Sequence, residues 1–242
     1  MPPTPAAVPV PRQSKQGASV SPRLIQGLIY MGLWIVLLFA SAGTIRWPRG
    51  WICCLTYCVT MLTLGGIVHR FNPGLIAARA KWRHRDTQRF DKFLLPVYLP
   101  LLIGQPVAGG LDVMRFRWSS MPLSTLYLGL GLFFLSVSVI GWTMAVNPWA
   151  ESSVRIQSDR GQQVVRAGPY RYVRHPMYFG MILMTPGVAC MLGSVWVLFL
   201  AAVIALITMI RTALEDSALQ RELAGYREYT KLTRWRLVPG LW

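Results

Sequence analysis

The sequence predicts an all-α integral membrane protein, a helical bundle with about five to six transmembrane helices and a further cytoplasmic helix near the C-terminus. Three observations predict it. Apolar residues make up 53% of the 242-residue chain and charged residues only 14%, a poor match to a soluble domain. The apolar residues are gathered into continuous runs at about 24–43, 50–68, 93–110, 122–146, 177–192 and 194–210, against the roughly 20 residues needed to span hydrocarbon. The charge is also lopsided. With six spans and a cytoplasmic N-terminus, all but Arg46, Arg49, Arg115 and Arg117 of the 25 Lys and Arg fall in cytoplasmic segments, which is the positive-inside pattern. The net charge of +16 is thereby assigned to membrane orientation and anionic headgroups, and a nucleic-acid role is set aside.

In chain order, residues 1–22 are rich in Pro, Ser, Ala and Gln without apolar periodicity and predict a disordered cytoplasmic tail. The first run ends in Ala40-Ser41-Ala42, which resembles a signal-peptidase site. A signal core covers about 7–15 residues, however, and this run is nearer 20, so it is read as a retained span. A short loop at 44–49 makes the first two spans a hairpin. Segment 69–92 carries seven Lys and Arg and reads as a cytoplasmic loop. Trp82 and Phe90 within it are compatible with an interfacial amphipathic segment as much as with a solvated loop. The third run contains Pro96, Pro100 and Pro106, which predicts a kinked helix. The fourth covers 25 residues, long enough to tilt.

Residues 23–146 are therefore read as N-terminal spans and 147–242 as a separate functional core. The last two runs, divided by Gly193, predict a helical hairpin. After residue 210 the chain turns polar, and Leu219, Leu223, Tyr226 and Tyr229 recur at helical spacing. This predicts one two-faced helix ended by Pro239-Gly240.

Several chemistries are disfavoured. Cys53, Cys54, Cys58 and Cys190 all lie in apolar runs without CxxC or nearby His, so packing is preferred over zinc or disulfides. With three His and no HExxH, a metal-dependent hydrolase is also disfavoured.

The polar constellation lies near the C-terminus. Residues 168–180 read GPYRYVRHPMYFG, with aromatic rings able to face a ring or a cation and prolines that restrict the backbone. Arg211 and Glu215 share a helical face and Asp216 follows. They are either an intrahelical ion pair or part of a wet polar cavity, because ionisable groups at the end of a span are expensive. From the residues alone, the expectation is a cytoplasm-facing polar ligand pocket near the C-terminus.

GPYRYVRHPMYFG, followed by RTALED and GYREYTKLTRWRLVPGLW, resembles the isoprenylcysteine carboxyl methyltransferase family, close to the phospholipid N-methyltransferases. The resemblance is specific over 147–242 and looser at FNPGLIAARA and RFDKFLLPVY. It implies S-adenosylmethionine as cofactor without a Rossmann fold; indeed no GxGxxG is present. It implies cofactor contacts from Gln157, Gln162, Gln163, Val164, Val165, Tyr170, His175, Pro176, Met177, Tyr178 and Glu215. Arg211 would position the acceptor, a role suited to a carboxylate. Two departures are Gln162, where many members have His, and Asp216 in place of Glu.

The resemblance further implies a bilayer partner, a lipophilic or prenylated acceptor entering from the lipid, and a bacterial inner-membrane location with both termini cytoplasmic. Carboxyl O-methylation is favoured over phospholipid or amine N-methylation, because Arg211 suits an anion. A sterol-type membrane reductase and a non-enzymatic transporter are the remaining alternatives.

Overall fold

The computed structural model describes residues 21–80 and 84–242, with side chains from residue 27 onward except Ala80. Most of the expected 1–22 tail, and Trp82, lie outside these. The helices in order are α1 (Ser21–Ala42), α2 (Pro48–Phe71), α3 (Pro73–Ala80), α4 (Arg89–Gly109), α5 (Ser124–Val146), α6 (Pro176–Leu192), α7 (Val195–Glu222) and α8 (Tyr226–Leu232).

By length and apolarity, α2, α4 with its extension to Phe116, α5 and α7 each suffice to cross a bilayer. The apolar stretch 27–42 of α1 and the whole of α6 are shorter. Large apolar side chains such as Leu62, Phe93, Leu128 and Leu206 stay exposed along these helices. On a soluble surface such patches would be a liability; against lipid tails they are ordinary. The chain is a multi-pass helical membrane protein.

The core is built where α5 and α6 cross. A side chain at Gly129 would come within 2.7 Å of the backbone of α6, at Met191 N and Gly187 O. Only a hydrogen side chain lets the two backbones meet there, a common device for helix pairs in lipid. Around the crossing, Trp34, Leu38, Cys53, Phe133, Val188 and Leu192 close one continuous cluster, so Cys53 packs as the sequence suggested.

The far end of the bundle is tied by two charged groups. Arg49 donates to the carbonyls of Met191 and Cys190 at the end of α6 and to Met121 O. Buried Asp112 accepts from Ser194 Oγ at 2.5 Å and from Trp196 N at 3.4 Å, which places a carboxylate at the start of α7, where the helix dipole favours it.

α4 carries its three prolines within one helix that runs to Gly109 and continues as π-helical turns over Gly110–Phe116. Two expectations are corrected. The described part of the basic segment 69–92 is not a plain loop. α2 extends to Phe71, and α3 packs into the bundle through Leu75, which is 1% exposed and clusters with Val68, Ile140 and Met144. The expected helix ending at Pro239-Gly240 is divided. α7 continues unbroken to Glu222, about 42 Å at 1.5 Å per residue, and Gly225, at φ +78°, turns the chain into the short α8. A left-handed residue cannot continue a right-handed helix, and glycine adopts that conformation at no steric cost.

Candidate functional site

The C-terminal ends of α2, α5 and α7 and the N-terminal ends of α4 and α6 all lie at one end of the bundle, together with α3, α8 and the 147–175 loop. There α3, α4, α6, α7, α8 and the 147–175 loop line a cavity of about 270 Å³, near the lower end of the roughly 300–1,000 Å³ common for small-molecule sites.

Two buried carboxylates assemble its walls. Asp216, fully buried on α7, accepts from Arg174 Nε at 2.8 Å and Nη2 at 3.0 Å, from Arg236 Nε at 3.1 Å, and from Tyr226 OH at 3.1 Å. His175 Nε2 lies 3.2 Å from the same carboxylate. Arg174 Nη1 also donates to Thr233 O and Arg234 O. One acid thus fastens the 168–180 turn, α8 and the C-terminal segment to α7. Asp216 is consequently a structural centre and not an outward-facing second acid. The shorter side chain, noted above as a departure, is here fully used.

Asp91, at the start of α4, is the second centre. It accepts from Arg211 Nε at 2.7 Å and Nη2 at 3.0 Å, and from Val154 N at 2.7 Å. Arg211 Nη2 also reaches Ser152 O, and its guanidinium lies 5.3 Å from the Tyr178 ring centre. The intrahelical Arg211–Glu215 pair considered from the sequence is not formed. Arg211 is engaged across the bundle, while Glu215 accepts the Tyr178 hydroxyl.

The loop from Asn147 to Val165 is held by a third network. Glu151, buried, takes Arg155 at 2.8 Å and Arg160 at 3.0 Å; Arg155 also binds Asp86 and Asp159. Arg155 therefore titrates above its ordinary range, chiefly through the Glu151 hydrogen bond, and Arg155 beside Asp159 holds that carboxyl low. Gln162 Oε1 accepts from Gln157 N at 2.8 Å, and Gln157 Nε2 donates to Trp149 O. Tyr170 OH accepts from Asn147 Nδ2 at 2.5 Å, and Tyr229 OH donates to Tyr170 O at 2.7 Å. Burial raises the pKa of both phenols, that of Tyr229 to about 12.

Of the residues singled out from the sequence, Gln157, Gln162, Gln163, Val164 and Val165 line the cavity from the loop, and Tyr170, His175, Met177 and Tyr178 from the turn; α7 contributes Arg211 and Glu215. Pro176 is the exception: it is buried at the first position of α6, where its fixed φ starts the helix. Sequence reasoning missed Asp91, Arg79, Glu151, Trp149 and the α4 wall of Leu95, Leu99 and Leu102. Only the FNPGLIAARA and RFDKFLLPVY stretches, which contain Arg79 and Asp91, offered a signal.

The wall is chemically suited to a polar, partly cationic ligand with an aromatic ring. It offers the carboxylate of Glu215, whose Oε1 has no hydrogen-bond partner among the described residues, together with several phenol rings and the amides of Gln162 and Gln163. Among curated proteins none matches the chain significantly. Residues 124–224 match the family described as Phospholipid methyltransferase. That segment runs from the start of α5 to just past the end of α7 and contains most of the cavity wall, so the similarity to a methyltransferase family falls on the stretch that builds the site.

Proposed function

We propose that the protein is an S-adenosylmethionine-dependent methyltransferase acting on a lipid-like acceptor, with the cavity as the shared site of cofactor and acceptor. The observation that carries this reading is the convergence of the 168–180 turn and α7 on one cavity, through Tyr178 to Glu215 and Arg174 to Asp216. The cofactor supplies an already activated sulfonium methyl. Glu215 would accept from its hydroxyls or ammonium, and Tyr170 and Tyr178 would face its ring or its cationic centre. The chain's remaining task is orientation, which is worth about 7–11 kcal/mol at best. Its fixed loop, pinned through Asp91 and Glu151, serves that purpose.

Within this class we favour carboxyl O-methylation of an isoprenylcysteine-type acceptor. A carboxylate needs no general base, and the cavity wall carries guanidinium groups. The second reading, N-methylation of a phospholipid amine, is supported by the family description. Among the described residues most Lys and Arg lie at the cavity end, which supports a cytoplasmic location for that end; we place it, with both termini, on the cytoplasmic side of a bacterial inner membrane.

The test is calorimetry of S-adenosylmethionine with the detergent-purified protein, followed by labelled methyl transfer. Binding that is lost in Glu215→Ala and His175→Ala is expected. Undiminished binding in both would refute the assignment. Base-labile product indicates a methyl ester, and base-stable product a methylamine.

A further inference from the structure

The guanidinium groups on the cavity wall differ in what they face. Arg174 is paired with Asp216, Arg211 with Asp91, and Arg155 with Glu151, Asp86 and Asp159. Arg79 is not paired in this way. Its Nη1 donates to Ala150 O at 2.6 Å and lies 3.9 Å from Met177 Sδ. Among the described residues no carboxylate lies within ion-pair distance of it, and its Nε and Nη2 hydrogens have no partner. A guanidinium offers five donors in a planar fork that matches carboxylate and phosphate oxygens.

Arg79 is also held in place. It lies in the last turn of α3, four residues beyond Leu75 and therefore on the same helical face, and Leu75 anchors that face in the bundle. Burial, and then the nearby charge of Arg211, lowers its pKa to about 10, with Glu151 opposing the shift through space, so the group stays protonated at neutral pH without a carboxylate in contact. The same cavity is bounded by Leu95, Leu99 and Leu102 of α4. Leu95 and Leu99 also form one wall of a neighbouring, largely apolar cavity of about 500 Å³ with Pro96 and Pro100. A fixed unpaired cation beside a continuous apolar wall suits an amphiphile with an anionic head.

We infer that Arg79 is the specificity-determining residue that binds the anionic group, carboxylate or phosphate, of a lipid-like ligand whose hydrocarbon part lies along Leu95, Leu99 and Leu102. This assigns to Arg79 the anion recognition that the sequence suggested for Arg211, whose Nε and Nη2 are occupied by Asp91. The inference rests on the methyltransferase reading only in identifying that ligand as the methyl acceptor.

The experiment measures binding to the detergent-purified full chain of three probes: N-acetyl-S-farnesyl-cysteine, its neutral carboxamide, and dioleoyl phosphatidate. S-adenosylmethionine binding is measured in parallel. Losing a charge-assisted fork should weaken an anionic probe by about tenfold or more in Arg79→Gln. The carboxamide and S-adenosylmethionine should bind as before, and Arg79→Lys should recover part of the loss. Arg79-dependent binding of the farnesyl-cysteine alone assigns a carboxylate head, and of phosphatidate alone a phospholipid; either supports the inference. It is overturned if the wild-type protein binds neither anionic probe, if Arg79→Gln binds them as tightly as wild type, or if that variant loses all ligands equally. Arg79-dependent anion binding by a protein that does not bind S-adenosylmethionine would leave this site standing and remove the proposed function.

Discussion

Arg211 and Asp91, 120 residues apart in the chain, form a buried two-point ion pair at 2.7 and 3.0 Å. Because Asp91 also accepts from Val154 N, one carboxylate joins α4, α7 and the loop at the cavity.

Breaking that pair from one side leaves an uncompensated buried charge. Asp91→Ala should destabilise the protein by about 3–5 kcal/mol, whereas replacing Asp91 and Arg211 together by leucines should be close to neutral. Unfolding in detergent checks both. An Asp91→Ala variant as stable as wild type would remove the pair's structural role.

Glu215 is expected to contribute to cofactor affinity more than to stability, because it lines the cavity and only one of its oxygens is engaged, by Tyr178. Glu215→Gln should weaken S-adenosylmethionine binding by about 10–100-fold, the equivalent of roughly 1.5–3 kcal/mol for a hydrogen bond to a charged group. Its melting temperature should hardly move. Calorimetry beside a thermal scan separates the two effects.

Asp216→Asn should release the C-terminal segment. Arg174 and Arg236 lose their common anion, and the carbonyls of Thr233 and Arg234 depend on Arg174. Limited proteolysis is expected to cut beyond residue 232 in the variant and to spare the wild type. Equal resistance of the two proteins would contradict this.

Alkaline pH should loosen the same region through Tyr229. Its folded pKa, near 12, lies above the ordinary phenol value of 10.0, so its contribution is fully present below about pH 10 and is lost as pH rises toward 12. Thermal stability of Tyr229→Phe should therefore fall less than that of wild type across this window.

The α5–α6 crossing gives a packing test. Gly129→Val places atoms against the backbone at Met191 and Gly187, whereas Gly131 faces open space. Overpacking of this kind costs about 1–3 kcal/mol, so Gly129→Val should lower stability in detergent and Gly131→Val should not.

Much of the site was legible because its residues are close in sequence. The 168–180 turn concentrates rigid and aromatic groups, and Arg211, Glu215 and Asp216 follow one another on a helix. The partners that fix their roles were not legible. Asp91 and Arg79 are single charged residues in a basic stretch, with nothing local to distinguish them from a solvated surface. Asp216 and Glu215, adjacent and chemically alike, were assigned only by which neighbours reach them.

The sequence alone determined that the chain is a helical membrane protein, where its apolar segments lie and which end carries the charge. Those properties follow from runs of similar residues, and the bilayer acts on each run separately. Only the tertiary structure decided that α7 runs on past its apolar stretch, that Arg211 is paired across the bundle and that Arg79 faces the cavity without an anion. Charge pairing depends on distances of a few ångströms between residues far apart in the chain, and those distances are set by how the helices pack.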